Sequence, residues 1–570
     1  MKILTLCSLG WLCLAINGWA ATPDAGSLLR DEIRRDQPAA PLLPPKPAAI
    51  TDDKSDSDRG QKIQITGFRL SGLSAVPETE AQAFLTPFAS QPLSLEGLNL
   101  VAEKFEQWLR GRGLFAARAY VPPQDIKDGA IEIRVLEGRV EGIDIKRAPG
   151  SRITDEKLGN LLAGVLPPGA ALEQSRLERG LLLMNDLPAI SARAVLVPGK
   201  ELGGSRVLVE AAQGAVLSGG AELDNTGNRF TGDWRLGASV VVNDAYGWGD
   251  QWSARATATQ GSSFVRASYS LPLSNNGLKA GVALIDSRYA LCCASEVAAL
   301  DSNGEASAVS GFVSYPLTRT RLNNLTASIN WASRGFVNRS LRTTTSDKKS
   351  ETMTLGLAGD RTDMVGLSGL GGYTTYSAQW VTGRIDLDGW SPDRTQDAAS
   401  AQTHGSFDKL SAQFTHLLRL SKNSALYGSL SGQWAGKNLD SSEKFSLGGP
   451  QGVRAYPTGE ASGDQGWLLN LEWRQEINRQ WGVVGFFDVG QIGLHHNTWA
   501  TWNAATPTQD NNYSLSGVGV SAVWSQAPGC QITATLATRQ GQNPARDAAG
   551  HDSDGRDGQV QLWVTANWAF

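Results

Sequence analysis

The stretch that decides the fold is GQVQLWVTANWAF, residues 558–570. Read as an extended chain, it puts Val560, Leu562, Val564, Ala566, Trp568 and Phe570 on one side and Gln561, Thr565 and Asn567 on the other. A strand with one continuous apolar face and one polar face separates two different media. Working back along the chain, segments of about ten alternating residues recur between turn clusters, the pattern of a membrane β-barrel. The pattern reaches back to about Ala215, and no helical periodicity interrupts it, so no helix is expected there. Counting segments gives an all-β transmembrane barrel of about 16 antiparallel strands, an even number within the known range.

The connections support this reading. SLPLSNNG, SKNS, EINRQ and SQAPG are short, whereas IDSRYALCCASEVAALDSNGE, DLDGWSPDRTQDAASAQTHGS and GGPQGVRAYPTGE are long. Short periplasmic turns alternating with longer external loops produce this asymmetry. A soluble sandwich or propeller is disfavoured by more than 350 residues of strands without a regular blade period.

Composition excludes some functions. Lys and Arg number 52 against 56 Asp and Glu, a net charge of −4, so nothing draws the chain to nucleic acid. Charged residues are only 19%, while Trp (18) and Gly (63) are numerous, which suits strands with aromatic girdles. Five histidines and no Ser/His/Asp arrangement give no basis for an enzyme, and no cofactor or metal is expected. Cys7 and Cys13 fall in an N-terminal apolar segment, leaving Cys292, Cys293 and Cys530, an odd set. The adjacent pair is too close for an ordinary cross-link.

Residues 1–21 read as a secretory signal peptide: Lys2, the apolar run ILTLCSLGWLCLAI, then small residues. Residues 22–37 contain a short amphipathic helix with Leu28, Leu29 and Ile33 on one side. The proline-rich, then charged segment 38–60 has the composition of an extended tether. Two stretches, 61–137 and 138–213, then repeat one order of elements, strand, helix, helix, strand, strand. Thr154 is placed to cap the first helix of the second repeat. No later apolar stretch reaches the roughly 20 residues a spanning helix needs, so any membrane passage is through the barrel at 214–570.

Two strands after the glycine-rich loop can be read for direction. In GWLLNLEWRQEI, Trp467, Leu469, Leu471 and Trp473 face lipid, which turns Asn470, Glu472, Arg474 and Glu476 inward. In WGVVGFFDVGQ, Trp481, Val483, Phe487 and Val489 face out, while Phe486, Asp488 and Gly490 face in. Asp488 is thus a lumenal carboxylate.

VRAY (Val453, Arg454, Ala455, Tyr456) followed by FDVG (Phe487, Asp488, Val489, Gly490) resembles the outer-membrane transporters of two-partner secretion, the ShlB/FhaC/HecB type. LDNTGNRFTG, NDAYGWGDQW and YSLPLS at the barrel start are similar to family patterns, and the resemblance spans nearly the whole chain after the signal. Ala455 departs from the commoner glycine of VRGY. The resemblance implies that the repeats are polypeptide-transport-associated (POTRA) domains in the periplasm and that the helix at 22–37 is a plug. It implies that the loop 437–466 folds back into the barrel, where Arg454 pairs with Asp488 on a wall patch that includes Phe487 and Gly490. A planar guanidinium suits such a bidentate contact.

The implied function is an outer-membrane translocator for an unfolded exoprotein of haemolysin, adhesin or contact-inhibition type. A monomer is expected, embedded in outer-membrane lipid and inserted by the barrel assembly machinery through the C-terminal strand ending in Phe570. The alternative is a barrel assembly factor, which shares the loop but usually carries more POTRA modules and no plug. A passive porin would need no modules.

Overall fold

The computed structural model describes residues 22–35, 63–89, 91–126, 129–364, 369–504, 509–526, 529–547 and 549–570. The expected signal peptide and the tether at 38–60 lie outside the described residues.

Period-two alternation builds a closed barrel of sixteen strands, from β1 (Leu217–Asp224) to β16 (Val560–Ala569), every neighbour antiparallel. Outward positions carry Val265, Leu284, Ile329, Trp331, Leu355 and Trp380, all exposed. In water such a belt would aggregate; in hydrocarbon it is the surface that costs nothing to expose. The barrel closes over only five Cα pairs, from Asp224–Thr565 to Gly220–Ala569. Beyond them the Asn225 side chain continues the seam. Its Nδ2 donates to the Leu562 carbonyl (2.8 Å) and its Oδ1 accepts from the Val564 N–H (2.7 Å).

The two repeats share element order and pairing. In the first, Gly67–Ser71 runs parallel to Ala130–Leu136, which pairs antiparallel with Arg118–Tyr120. Helices Glu78–Leu85 and Leu95–Gly111 cover a core of Phe105, Leu109, Ile131 and Ile133, and Ser94 caps the longer helix through Gly97 N–H (3.0 Å). In the second, Arg139–Arg147 is parallel to Gly204–Gln213 and the latter antiparallel to Ile190–Pro198, with helices Asp155–Val165 and Gln174–Asn185. Thr154 caps as its position predicts, accepting from Lys157 N–H at 3.1 Å. This repeat is seated on the barrel's short turns: Asp186 takes Arg319 bidentately (2.6 and 2.8 Å), and Arg179 donates to the Pro316 carbonyl (2.9 Å).

Three details differ from the sequence reading. Ile63–Gln64 pairs with Pro92–Leu93, a two-residue ladder too short to leave a periodic signal. Helices Ser295–Ala298 and Ser391–Ala398 occupy two of the long external connections, where none was expected. One or two turns, the second opened by Pro392, need no long apolar period. Cys292 and Cys293 are bonded to each other, and Cys530 is free. The rule against neighbours describes cross-links between separate segments and does not cover a ring closed within one dipeptide.

Candidate functional site

After Ser424–Ala435 the chain turns into the lumen over 436–464 and returns as strand Gln465–Glu476. A short ladder, Phe445–Ser446 against Ser462–Gly463, stiffens the loop's base. At its tip Val453, Ala455 and Tyr456 have no exposure and Arg454 has 9%. An arginine this deep requires a partner. It finds Asp488, itself 0% exposed, on strand Trp481–Gly493. Arg454 Nε donates to Oδ2 (2.8 Å) and Nη2 to Oδ1 (2.7 Å), a fork on a carboxylate, while the Arg454 backbone N–H adds a third bond to Oδ2 (3.1 Å). Asn470 Nδ2 donates to the other oxygen at 2.7 Å, so Asp488 is fully satisfied.

The network extends along the wall. Arg454 Nη1 reaches Glu472 Oε1 (2.8 Å), and Glu472 Oε2 takes Arg474 (2.7 Å), whose guanidinium lies over the Tyr427 ring at 4.0 Å. Two acids and two bases alternate without net charge, which is what a water-poor site tolerates.

Of the expected wall patch, only Asp488 touches the arginine. Phe487 is 40% exposed on the lipid side; its neighbour Phe486 faces in and lies under the Arg454 guanidinium at 3.6 Å. Period-two alternation dictates this, since Phe487 and Asp488 cannot share a face. Gly490 does not contact Arg454 either. A Cβ there would come within 2.6 Å of Leu447, so the glycine leaves room for the loop's base. The Ala455 methyl is accommodated at Gly517, where a Cβ would come within 2.5 Å of it.

Three further contacts hold the loop, and strand alternation alone does not reveal them. Trp563 Nε1 on β16 donates to the Arg454 carbonyl (2.8 Å); a tryptophan on the strand's polar side was the available signal. Glu460, 1% exposed, accepts from Asn543 Nδ2 (2.9 Å) and Ser553 N–H (2.8 Å). Asn543 also bonds Asp552, which Arg539 holds (2.5 Å), so the connection between the last two strands grips the loop from outside. Burial pushes the Glu460 carboxyl above its ordinary value, with the Asn543 and Ser553 hydrogen bonds opposing.

The amphipathic helix, α1 (Ala25–Arg35), lies inside the barrel. Leu29 is 1% exposed and packs with half-buried Leu28 and Ile33 against Phe264, Tyr289 and Phe336 of the wall and Phe230 of the connection between the first two barrel strands. Its polar side is tied to the same loop: Arg30 donates to the Ser441 carbonyl (3.0 Å) and Arg34 to the Ser446 carbonyl (2.9 Å). Glu32 pairs with wall Arg235 (2.7 Å), and Asp24 with Ser441 Oγ (2.6 Å) and Lys348 (3.4 Å). Burial raises the Asp24 carboxyl, but Lys348 and the Ser441 and Ser27 hydrogen bonds outweigh it and hold it well below the usual carboxylate range. Helix, loop and wall form one ionic and apolar assembly inside the pore.

Against known proteins, residues 203–510 match the family model of the haemolysin secretion/activation protein ShlB/FhaC/HecB, more than half of the chain. The chain belongs to this family. Residues 63–138 match the ShlB-type POTRA domain. The chain is 25% identical over 90% of its length, and 91% of the relative's, to the heme/hemopexin transporter protein HuxB of Haemophilus influenzae strain 86-028NP. It is 24% identical to the outer membrane transporter CdiB of Dickeya dadantii, covering 74% of this chain and 73% of that one. The solved structure of CdiB from Escherichia coli shares the fold, with a TM-score of 0.73, 19% identity and 95% of both chains covered. This family member is an outer-membrane two-partner secretion transporter, with its barrel in the membrane and its POTRA region in the periplasm.

Proposed function

We propose that the two periplasmic modules bind an unfolded exoprotein of haemolysin or adhesin type, and that the barrel exports it once α1 and the loop at 436–464 give way. The observation that carries this reading is that helix and loop occupy the pore together, joined by polar contacts rather than by covalent or continuous sheet structure. Polar contacts exchange for water and can be remade; a plug embedded in sheet could not leave. The modules offer open sheet edges at Gly67–Ser71 and Ile190–Pro198, where an extended client adds by main-chain bonds, tolerating many sequences. The second repeat acts as a POTRA domain like the first. Arg454 and Asp488 are the latch of the loop, and Glu472 and Arg474 extend it. The apolar belt seats a monomer in outer-membrane lipid, and the β16 segment ending in Phe570 addresses the barrel assembly machinery.

Deleting the chain from its source tests this. At least one large polypeptide disappears from the culture medium, while the abundance of other outer-membrane barrels is unchanged. A general loss of barrels with an intact medium would contradict it.

A further inference from the structure

A cavity of about 420 Å³ lies beside Arg34 of α1 and Gln451 and Arg454 of the loop. Part of its wall is a grid built by three strands, Gly372–Asp386, Gly405–Arg419 and Ser424–Ala435, and the adjoining strand Gln465–Glu476 adds Leu468, Asn470, Glu472 and Arg474. On the first strand the lumenal positions are Thr375, Ser377 and Gln379, in register with Thr415, Gln413 and Ser411 on the second. Those in turn face Ser429, Ser431 and Gln433 on the third. Three rows across three strands thus contain only Ser, Thr and Gln, with no charge and no apolar side chain. The side chains of Ser377, Gln379, Gln413 and Ser431 make no hydrogen bond to another described residue. The neighbouring part of the wall is different, mixing Arg266, Arg334, Ile285 and Phe312 around a second cavity of about 390 Å³.

A carboxamide carries the donor and acceptor of a peptide group, and a hydroxyl offers both roles at one atom. An uncharged array of such groups bonds an extended backbone without selecting side-chain sign, and without the deep hold that salt bridges would impose. We propose that this Ser/Thr/Gln grid is the contact surface for the extended main chain of the polypeptide in transit. The inference rests on the transport reading and adds which wall is used and by what chemistry. The client slides along the rows by exchanging equivalent hydrogen bonds, one residue replacing the next.

Single cysteines in the full chain test it: Ser431→Cys on the grid, Ser310→Cys on the mixed wall of the second cavity and Leu430→Cys on the lipid face. The probe is an unstructured Gly/Ser/Asn peptide carrying one thiopyridyl-activated cysteine, in uncharged, lysine-containing and glutamate-containing forms. A small thiopyridyl reagent calibrates thiol reactivity, and the unaltered chain gives the Cys530 background. We expect Ser431→Cys to form the mixed disulfide about tenfold faster than either control with all three peptides. Adding Gln379→Ala and Gln413→Ala slows it by about tenfold, the equivalent of one or two hydrogen bonds. Equal or faster reaction at Ser310→Cys, or reaction with one peptide charge only, overturns the grid while leaving transport intact. No lumenal reaction, even when Leu29→Ala loosens the plug, overturns both.

Discussion

Replacing Arg454 by alanine removes the fork on Asp488 (2.7 and 2.8 Å), the 2.8 Å contact with Glu472 and the stack on Phe486. Glu472 keeps Arg474, but Asp488 stays fully buried with only Asn470 and one backbone N–H. Stripping one partner from a buried ion pair costs roughly 3–5 kcal/mol. At about 1.4 kcal/mol per power of ten, the docked loop loses roughly two to three and a half powers of ten in its equilibrium. The strands do not depend on this contact, so the barrel still assembles and keeps its heat-modifiable migration on gels. The assay is labelling of a cysteine placed at Gln451 in intact membranes, beside exoprotein secretion. Labelling should rise and secretion fall. Asp488→Asn leaves Arg454 buried but still paired with Glu472 at 2.8 Å and should be milder, and the double variant less damaged than the sum of the singles. Labelling within about twofold of the parent, together with full secretion by an assembled barrel, would refute the latch, because it would leave no room for a cost of even about 1 kcal/mol.

Two further outcomes are expected. Leu29→Ala removes the side chain that α1 buries most deeply, at about 2–5 kcal/mol, and should raise ion conductance in planar bilayers; unchanged conductance would show that the polar ties alone seat the plug. Glu460 has a raised folded-state pKa, so its contribution to seating the loop is present below the ordinary 4.5 and is lost as pH rises through the raised value. Cysteine labelling at Gln451 should therefore increase from acid to neutral pH in the parent, and Glu460→Gln should flatten that rise.

The barrel was legible because period-two alternation is local: each strand states its own faces, and residues 558–570 do so without a neighbour. The same rule placed Asp488 inside and, applied strictly, would have placed Phe486 rather than Phe487 beside Arg454. Short-range patterns also gave α1 with Leu28, Leu29 and Ile33 on one side, and the cap at Thr154. What the sequence withheld is pairing across the lumen. Asp24 meets Lys348 more than 300 residues away, and Glu460 meets Asn543 and Ser553 from a separate connection. Such contacts depend on the barrel's curvature and the loop's path, neither of which leaves a periodic trace. Trp563 is intermediate: its position on a polar face flagged an unusual residue, but only the folded loop reveals the carbonyl it bonds.

The most direct test of the central account locks the plug in place. The Ala25 N–H bonds the Asn338 side chain at 3.0 Å, so Ala25→Cys with Asn338→Cys, in a Cys530→Ser background, can tether α1 to the wall. The exoprotein missing from the medium of deletion cells should also be missing when this pair is oxidised, and return when it is reduced. Undiminished secretion with the tether fully formed would contradict this.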